Sequence, residues 1–580
     1  LGMKFHSRDE AREVIKTHCF RRGKSVSFDK IESLRVVAYC RTVVGCPWFV
    51  RIARSKNGGP WQLRCMNEVH AEHCGWDHIG KSIKSSWLAK AYLKKIREDP
   101  NMKPKTFRKV MSTSLNVEIS KYAAYRARKR AINIMHGHHM EQFNRIYNYL
   151  AEVKRKNPDV RCVMRVQPSA RVKKQFQRLY FCFGACRDGF LVSCRPLVGL
   201  DGCFLKGSFE DELLVAIGLD PNNSICPIAW AMVEGENKSS WTWFLNLLKF
   251  DLKISEENMR DFTFMSDKDK GLTPALQMLF PTSHFRFCVR HLYENMKKKG
   301  FGSAEVKMAL WMAARATRQE IFNSRMAELK ELNKDAHKWL EDKPPQQWSR
   351  AFFDESVKCD TLLNNMSESF NSCIIEARGQ PIIQLFETIR NLVMVRLQSC
   401  RENAAKWSGG LCPRITQLLE KSIAATKRCS AAVCNDGVWQ ITDCNDSVPE
   451  QFIVDLVQKS CSCRRWSLTG IPCGHAVKAM WCSQKNPSDG VYEYYSVETY
   501  KKCYAGTIFG IDSYQYWPAV DKPALIPPLD RKKRGRPKTL RKRAAGEPPP
   551  GLGRKKVKGT SRPMKCKRCS QPGHNSRTCK

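Results

Sequence analysis

Hydrophobic and polar positions follow different periods along the chain, and the changes of period divide it into segments. Residues 1 to 80 predict one short helix, DEAREVIKTHCF, and three strands, LRVVAYCR, PWFVRIAR and PWQLRCMNEV. Residues 81 to 160 predict helices interrupted at Pro100 and Pro104, with ISKYAAYRARKRAI as the most basic stretch. The first 160 residues therefore predict a small β module followed by a basic helical region.

The next segment, from residue 176 to about 400, has the apolar runs of buried strands. The strand-like runs are FQRLYFCFGA, RPLVGLDGCFLKG, ELLVAIGLD, ICPIAWAMVEG, DFTFMSDKDKG and HFRFCVRHL. SSWTWFLNLLKFDL predicts an amphipathic helix, and a second helix is predicted at 272 to 280. Three antiparallel strands followed by helix, strand, helix and strand form the plan of a ribonuclease-H-like domain. Helical composition at 296 to 355 predicts an insertion into it.

The remainder of the chain predicts further helix, a short sheet and a disordered tail. Helices are expected near Asn364 and from 381 to 425, and strands resume at VWQITD and EQFIVDLVQ within a unit at 430 to 485. From residue 520 the sequence is Pro-rich and basic, which predicts a disordered linker as far as 563. A chain of 580 residues exceeds one core, so the prediction is a multidomain α/β protein.

The formal net charge of +43 is concentrated in two blocks. Residues 531 to 580 hold 19 Lys and Arg against one acidic residue, and residues 81 to 130 hold 15 against three. Such blocks indicate a polyanionic partner, and no amphipathic anchor accompanies them, so DNA or RNA is favoured over lipid. No apolar run reaches the roughly 18 to 20 residues of a membrane span, and no secretory signal opens the chain. We expect a nuclear protein, and a fragment because the chain begins at Leu1.

Two cysteine and histidine quartets predict structural zinc. CSCRRWSLTGIPCGH gives Cys461, Cys463, Cys473 and His475, which suit a closed tetrahedral site. CKRCSQPGHNSRTC, in the last unit from 564 to 580, has the spacing of a zinc knuckle and gives Cys566, Cys569, His574 and Cys579. Knuckles commonly hold unpaired bases, so single-stranded nucleic acid is a candidate partner, although some such modules bind protein.

A third zinc site is predicted in the N-terminal β module. Its candidate ligands are Cys40, Cys46, His70, His73 and Cys74. The alternative is a set of scattered thiols in a small sheet, and the His70 to Cys74 end offers more than one ligand pair.

Two basic stretches are candidate DNA contacts. Arg534 and Arg536 lie in RGRP, which resembles an AT-hook core, while a nuclear import signal is the compatible alternative. The helix predicted for ISKYAAYRARKRAI presents Arg126, Arg128, Lys129 and Arg130 for the major groove or for phosphates. Its alternative is a solvated helix face.

Acidic residues in apolar surroundings are candidate metal ligands of a catalytic site. Asp201 interrupts PLVGLDGCF and Asp267 ends FTFMSD; in a ribonuclease-H-like sheet these strands are neighbours. The pair can hold hard divalent cations, and Glu368 is the best candidate for a third carboxylate on a later helix. A chain with 56 acidic residues offers many such triples by chance.

A family resemblance raises the weight of this triple. The following blocks resemble, in order, those of the Mutator-like element transposases of plants: LDGCFLKG, LLVAIGLDPNNSICPIAWAMVEGENKSSWTWFLNLL, SDKDKGL, FCVRHLYENM and NNMSESFN. The later quartet resembles the SWIM zinc finger that follows the catalytic domain in that family, and the module around Cys40 to Cys74 resembles its DNA-binding domain. Cys203, where the family often has Thr, and the shifted His70 to Cys74 end depart from the pattern.

The resemblance implies a role for specific residues. It makes Asp201, Asp267 and Glu368 the catalytic residues of a DDE-type transposase that uses Mg²⁺ or Mn²⁺. It places Cys288 and His291, of a Cys-x-x-His block, near the active site, with a buried core pair as the alternative. It further implies binding to terminal inverted repeats and a homo-oligomer.

Two other functions remain open at this stage. A domesticated transposase related to the far-red-impaired response proteins of plants would bind DNA as a transcription regulator without cleaving it. Alternatively, the knuckle and basic tail would bind RNA, with the middle of the chain as a scaffold.

Overall fold

The computed structural model describes residues 2–29, 34–54, 59–78, 83–99, 102–136, 141–167, 174–205, 211–267, 271–444 and 448–528. Within these ranges, buried apolar side chains form four clusters, one for each of the units that follow. The predicted multidomain α/β architecture is thereby confirmed in its broad form.

The N-terminal unit is a five-stranded antiparallel sheet covered by helices. Its strands are β1 (Lys4–Phe5), β2 (Val26–Phe28), β3 (Arg35–Cys40), β4 (Phe49–Arg54) and β5 (Trp61–Asn67), in the order β1-β5-β4-β3-β2. Its helices are α1 (Arg8–Arg21), α2 (Ser85–Ala91), α3 (Leu93–Glu98), α4 (Pro104–Leu115) and α5 (Lys121–His136). One core runs from Phe5 to Ile132, so the sheet and the basic helices form one unit where the sequence suggests two.

The central unit is a seven-stranded mixed sheet. Its strands are β6 (Arg161–Gln167), β7 (Gln175–Cys182), β8 (Leu197–Phe204), β9 (Glu212–Leu219), β10 (Ile225–Val233), β11 (Thr263–Ser266) and β12 (His284–Phe287). They lie in the order β12-β11-β8-β9-β10-β7-β6, with β8-β9-β10 antiparallel and β8-β11-β12 parallel. Both faces are covered, since seven of the eight residues of β9 are buried.

Helices connect and cover this sheet. They are α6 (Ile146–Lys156), α7 (Gly184–Ser193), α8 (Lys238–Asp251), α9 (Leu272–Leu279), α14 (Asn365–Cys373), α15 (Ile382–Ala405) and α16 (Pro413–Ala425). The hairpin between β9 and β10 is closed by Asp220, whose carboxylate accepts hydrogen bonds from the backbone N–H groups of Asn222 and Ser224. This is the Asx-type turn chemistry that the Asp-Pro-Asn-Asn sequence predicts.

A helical insertion separates β12 from α14. It consists of α10 (Val289–Lys298), α11 (Ala304–Arg315), α12 (Gln319–Leu332) and α13 (Lys334–Glu341), which share a core with the loop that follows. The predicted strand HFRFCVRHL ends early at Phe287, because Cys288 already caps α10. As a result, His291 lies on a helix.

The last unit is a four-stranded antiparallel sheet with short helices. It comprises β13 (Cys429–Asn435), β14 (Val438–Asp443), β15 (Glu450–Asp455), β16 (Ser460–Cys461), α17 (Arg465–Thr469) and α18 (Gly474–Cys482). The next helix, α19 (Val497–Cys503), packs on α7, and its buried Tyr500 and Cys503 belong to the core of the central unit. The chain then returns to the central sheet, where Ile526 pairs with Gln175 and Leu525 is buried. Residues 525 to 527 therefore pack on β7, at the start of the segment expected to be a disordered linker, because apolar side chains interrupt the prolines there. The rest of the expected linker, from 529 to 563, lies outside the described residues.

Candidate functional site

Two carboxylates come from neighbouring parallel strands. Asp201 lies within β8, and Asp267 immediately follows β11. Thr263 pairs with Leu197 and Met265 with Gly199, so continuing this register by two residues brings Asp267 beside Asp201. Burial, followed by the neighbouring charge of Asp267, raises the pKa of Asp201 to about 7. Two carboxylates so close resist joint ionisation unless a cation or a proton joins them, which fits a divalent metal site.

Helix α14 brings Glu368 towards the same place. Asn364, which precedes the helix, donates its amide to the carbonyl of Leu200 at 2.9 Å. Asn371 donates to the Asp201 carboxylate at 2.7 Å, and Glu368 lies one turn earlier on the helix. A side chain at Gly199 would lie 2.7 to 2.8 Å from atoms of Met366 and Asn364, so this close approach of strand and helix requires glycine.

Helix α10 supplies two cationic side chains to these carboxylates. His291 Nδ1 lies 2.5 Å from Asp267 Oδ1, and hydrogen bonds to Asp267 and Cys288 raise the pKa of His291 to about 10. Arg290 Nη1 lies 2.6 Å from Glu368 Oε2. Cys288 is fully buried, and its sulfur lies within 4.8 Å of the ligand atoms of Asp267 and His291. The Cys-x-x-His pair thus lies against the carboxylate centre.

Sequence reasoning missed three members of this centre, Asn364, Asn371 and Arg290. A signal for Asn371 was present, because NNMSESFN repeats a polar amide three residues after Glu368 on a predicted helix. Arg290 gave none, because its partner is 78 residues away. Trp241 and Phe244 of α8 are fully buried in the helix core and take no part in this centre.

Asp201→Asn is expected to stabilise the zinc-loaded protein above pH 7 when no divalent cation is bound at the carboxylates. The folded-state pKa of Asp201 lies above its ordinary 3.8, so ionising this carboxyl costs folding stability, and stability falls as pH rises from about 4 through about 7. At 1.36 kcal/mol per pKa unit the ceiling is about 4 kcal/mol, and we expect on the order of 2 kcal/mol. Among the described residues, the buried amide oxygen of Asn371 has no hydrogen-bond partner, so it can accept from the new amide after a flip.

The measurement is thermal unfolding of both zinc-loaded proteins, without added Mg²⁺ or Mn²⁺, between pH 5 and pH 8. The difference between them should be small at pH 5 and should grow with pH. A constant difference across this range would contradict the assigned burial of a charged Asp201.

The later quartet converges as a candidate zinc site. Cys463 Sγ and Cys473 Sγ lie 3.5 Å apart, and Cys461 Sγ lies 3.6 Å from His475 Nδ1. The other ring nitrogen, His475 Nε2, lies 3.2 Å from Asp443, and the Phe452 ring stacks on the imidazole at 4.0 Å. A carboxylate behind a ligating histidine is the usual way in which its ring is oriented. Asp443 lies 32 residues before His475, so ligand spacing does not indicate it.

The N-terminal candidates resolve into a quartet as well. Cys40 Sγ and Cys74 Sγ lie 3.7 Å apart, and Cys46 Sγ lies 3.3 Å from His70 Nδ1. All four ligand atoms lie within 4.8 Å of one another, and this group does not include His73. His73 is therefore a correction to the candidate set: it stands on the exposed turn before Cys74, whereas Trp48 stacks on His70.

The basic side chains of α5 divide into two faces. Arg128 is buried, donates to the carbonyl of Met102 at 2.6 Å and lies 3.8 Å from Glu376, so its assignment as a DNA contact is wrong. Arg126 and Arg130 are exposed, although Arg130 also donates to the Ser85 hydroxyl, and Lys129 is half-buried. The knuckle ligands Cys566, Cys569, His574 and Cys579, and Arg534 and Arg536, lie outside the described residues.

Three segments match known protein families. Residues 1–63 match the MuDR family transposase, residues 197–295 the MULE transposase domain and residues 442–484 the SWIM zinc finger. The chain therefore combines transposase-type domains with a SWIM zinc finger, which confirms the resemblance to Mutator-like element transposases. A structural zinc ion at Cys461, Cys463, Cys473 and His475 follows from the SWIM match and the converging quartet.

Individual relatives cover only part of the chain. Over 158 residues it is 25% identical to Protein FAR1-RELATED SEQUENCE 6 of Arabidopsis thaliana, covering 27% of this chain and 20% of that protein. Over 176 residues it is 25% identical to the transposase for insertion sequence element IS1201 of Lactobacillus helveticus. That alignment covers 29% of this chain and 46% of the transposase. The chain thus spans less than half the length of either relative.

A solved structure and a hydropathy comparison add two findings. The chain has 23% sequence identity to the protein in the crystal structure of AFT2 in complex with DNA. The alignment covers 20% of this chain and 93% of that chain, and its TM-score of 0.15 is too low to show a shared fold. Among the described residues, no helix is both long and apolar enough to cross a membrane.

Proposed function

We propose that the central unit is a ribonuclease-H-like domain and that the chain is a DDE-type DNA transposase. The order of β12-β11-β8-β9-β10, with an antiparallel β8-β9-β10 meander and parallel β11 and β12 beyond β8, supports the fold. The proposal rests on one observation above all. Asp201 and Asp267 meet on neighbouring parallel strands, and the charge of Asp267 contributes to the raised pKa of Asp201.

In this proposal Asp201, Asp267 and Glu368 hold two Mg²⁺ or Mn²⁺ ions. When bound, such ions would supply the charge needed to activate a water molecule, and then a DNA 3′-hydroxyl, for attack on phosphodiesters. Asn371 orients Asp201 through its 2.7 Å hydrogen bond. Protonated His291 neutralises Asp267, and Arg290 pairs with Glu368, so both cations would turn away from the carboxylates when metal binds.

The test is cleavage of a labelled terminal-repeat duplex by purified protein in Mn²⁺. Metal-dependent nicks that disappear in Asp201→Asn would support a transposase. Binding without nicks in Mg²⁺ or Mn²⁺ would exclude it and leave the alternative of a domesticated DNA-binding transcription regulator.

We further propose that the N-terminal unit binds DNA, with terminal inverted repeats as the target of a transposase. The match of residues 1–63 to the MuDR family transposase supports this assignment. Helix α5 has no acidic residue, and Tyr122, Tyr125, Arg126 and Lys129 share one face of it, where the two tyrosines are 77% and 54% exposed. Such a face offers cations and hydroxyl donors to phosphates.

Arg126→Ala with Lys129→Ala is expected to weaken DNA binding and to flatten its salt dependence. Each phosphate contact contributes about 0.9 to the slope of log K against log salt, so the double variant should lose about 1.8. Arg128→Ala is the matched control, because Arg128 is buried and should affect folding stability but leave the slope unchanged. Titration of a duplex with each variant at salt concentrations from 50 to 300 mM measures the slope. A lower slope in Arg128→Ala would contradict the assignment of Arg128 to the buried face of α5 and of Arg126 and Lys129 to the DNA-binding face.

The remaining parts of the proposal concern location and assembly. We propose that the protein acts in the nucleus as a homo-oligomer and that its C-terminal knuckle binds single-stranded nucleic acid. The basic charge of the chain supports a nucleic-acid partner.

A further inference from the structure

Arg464 extends out of the SWIM zinc finger into another unit of the protein. It follows the zinc ligand Cys463, precedes α17 and has a left-handed backbone, with φ of 62°. Its Nε donates to the Glu355 carboxylate at 2.7 Å. Its guanidinium also donates to backbone carbonyls of the helical insertion and the loop after it, those of Thr317, Arg350, Ala351 and Phe353. One side chain therefore binds four backbone carbonyls outside the zinc finger at once.

The loop contacted by Arg464 is the bridging segment, defined here as residues 350–364. Arg286 of β12 donates to the carbonyls of Cys359 at 2.5 Å and Asp354 at 3.3 Å, and its guanidinium lies 4.0 Å from the centre of the Phe353 ring. In the opposite direction, Lys358 donates to the carbonyl of Ser467 in α17 at 3.0 Å. The bridging segment is thus held between the central sheet and the zinc finger.

The bridging segment leads directly into the carboxylate centre. Its last residue, Asn364, donates to β8 beside Asp201 and precedes α14, which carries Glu368. The carbonyl of Leu362 accepts from the N–H of Val289, the first residue of α10. Because α10 carries Arg290 and His291, the segment contacts the start of both helices that complete the centre.

An apolar contact follows the same route. Leu468 of α17 is fully buried in the core of the helical insertion, which includes Val289, Leu292 and Leu362. The zinc finger therefore packs against the core to which α10 belongs, in addition to the polar contacts of Arg464.

We propose that Arg464 is a positioning residue through which the zinc-folded finger holds the bridging segment, and thereby α10 and α14, against the carboxylate centre. The four zinc ligands enclose residues 461 to 475 and so fix the unusual backbone of Arg464. Loss of zinc or of the guanidinium frees the bridging segment. The statement about the carboxylate centre rests on the proposed function, whereas the hold on the bridging segment does not.

Hydrogen–deuterium exchange of the zinc-loaded full chain tests the hold. Arg464→Ala is expected to accelerate amide exchange in residues 350–364 and in the first turn of α10 by about tenfold or more, the factor that loss of one charge-assisted hydrogen bond gives. Arg465→Ala is the matched control, since Arg465 is the next residue, carries the same charge and is exposed. Zinc content should be unchanged in both variants. Wild-type exchange rates in Arg464→Ala with zinc retained would overturn the proposal.

Two further variants separate the side chain from the backbone and guard against a folding failure. Arg464→Gly relieves the left-handed backbone but removes the guanidinium, so it should behave like Arg464→Ala. Arg464→Lys keeps a donor and should restore part of the protection. Wild-type protection in Arg464→Gly would show that the backbone, and not the guanidinium, is what matters, and would overturn the proposal.

Mn²⁺ binding, followed by electron paramagnetic resonance, tests the second half of the proposal. Arg464→Ala should weaken Mn²⁺ binding several-fold relative to wild type and Arg465→Ala. Faster exchange with unchanged Mn²⁺ affinity would overturn the link to the carboxylate centre. Failure of the wild-type protein itself to bind Mn²⁺ would refute the proposed function, while the exchange measurement would still decide whether Arg464 holds the segment.

Discussion

Asp201→Asn is expected to abolish Mn²⁺-dependent nicking of a terminal-repeat duplex while leaving DNA affinity unchanged. Strand register places Asp267 beside Asp201, and Asn371 donates a hydrogen bond to the Asp201 carboxylate. Partners behind a metal ligand already affect metal affinity or activity by about 10- to 100-fold, so loss of a ligand should exceed about 100-fold. Nick formation against time in 5 mM Mn²⁺ measures the effect on rate, and a gel-shift titration measures affinity.

Asp188→Asn is the matched control for this experiment. Asp188 is also a carboxylate of the central unit, but it is exposed on α7 and pairs with the adjacent Arg187. It should cleave at the wild-type rate. Equal cleavage by Asp201→Asn and Asp188→Asn would show that the nuclease activity does not arise at the proposed centre, and a loss of binding in Asp201→Asn would show that the substitution had disturbed the fold.

The chemistry-bearing residues of this centre were predictable to the extent that they interrupt strong local patterns. Asp201 breaks an apolar strand and Asp267 ends one, so a sheet order alone predicts their meeting. Their partners were not predictable in the same way. Arg290 reaches Glu368 across 78 residues, and Asn371 reaches Asp201 across 170. These contacts depend on how the helices pack, which no local period of the sequence specifies.

The metal and DNA candidates show the same division. Ligand spacing alone predicts the SWIM quartet, because its two ends lie within fifteen residues. At the N-terminal site, ligand spacing does not decide which of His70, His73 and Cys74 bind the metal. The path of the chain after β5 decides it, because it brings His70 and Cys74 to Cys40 and Cys46. Likewise, a basic run on a helix does not tell which side is buried. The amphipathic packing of α5 directs Arg128 inward to Met102 and leaves Arg126 outside.

Cys473→Ser is expected to remove one zinc ion per chain and to unfold the SWIM finger. The finger has a small core, to which three of its own zinc ligands, Cys461, Cys463 and Cys473, contribute. Structural zinc supplies about 10 to 16 kcal/mol of apparent binding free energy in zinc-finger peptides, more than so small a core can replace. Zinc by mass spectrometry and limited proteolysis of residues 429–503 measure the effect. Since Arg464 follows Cys463, exchange in residues 350–364 should accelerate as well.

Two further substitutions give this prediction a graded scale. Cys482→Ser changes an exposed thiol at the end of α18, outside the quartet, and should retain zinc and protease resistance. Asp443→Asn removes the carboxylate behind His475 and should weaken zinc binding by about 10- to 100-fold without losing the site. The expected order of zinc retention in a chelator competition is therefore Cys482→Ser, Asp443→Asn and Cys473→Ser. Full zinc and wild-type protease resistance in Cys473→Ser would mean that the quartet does not hold the finger together.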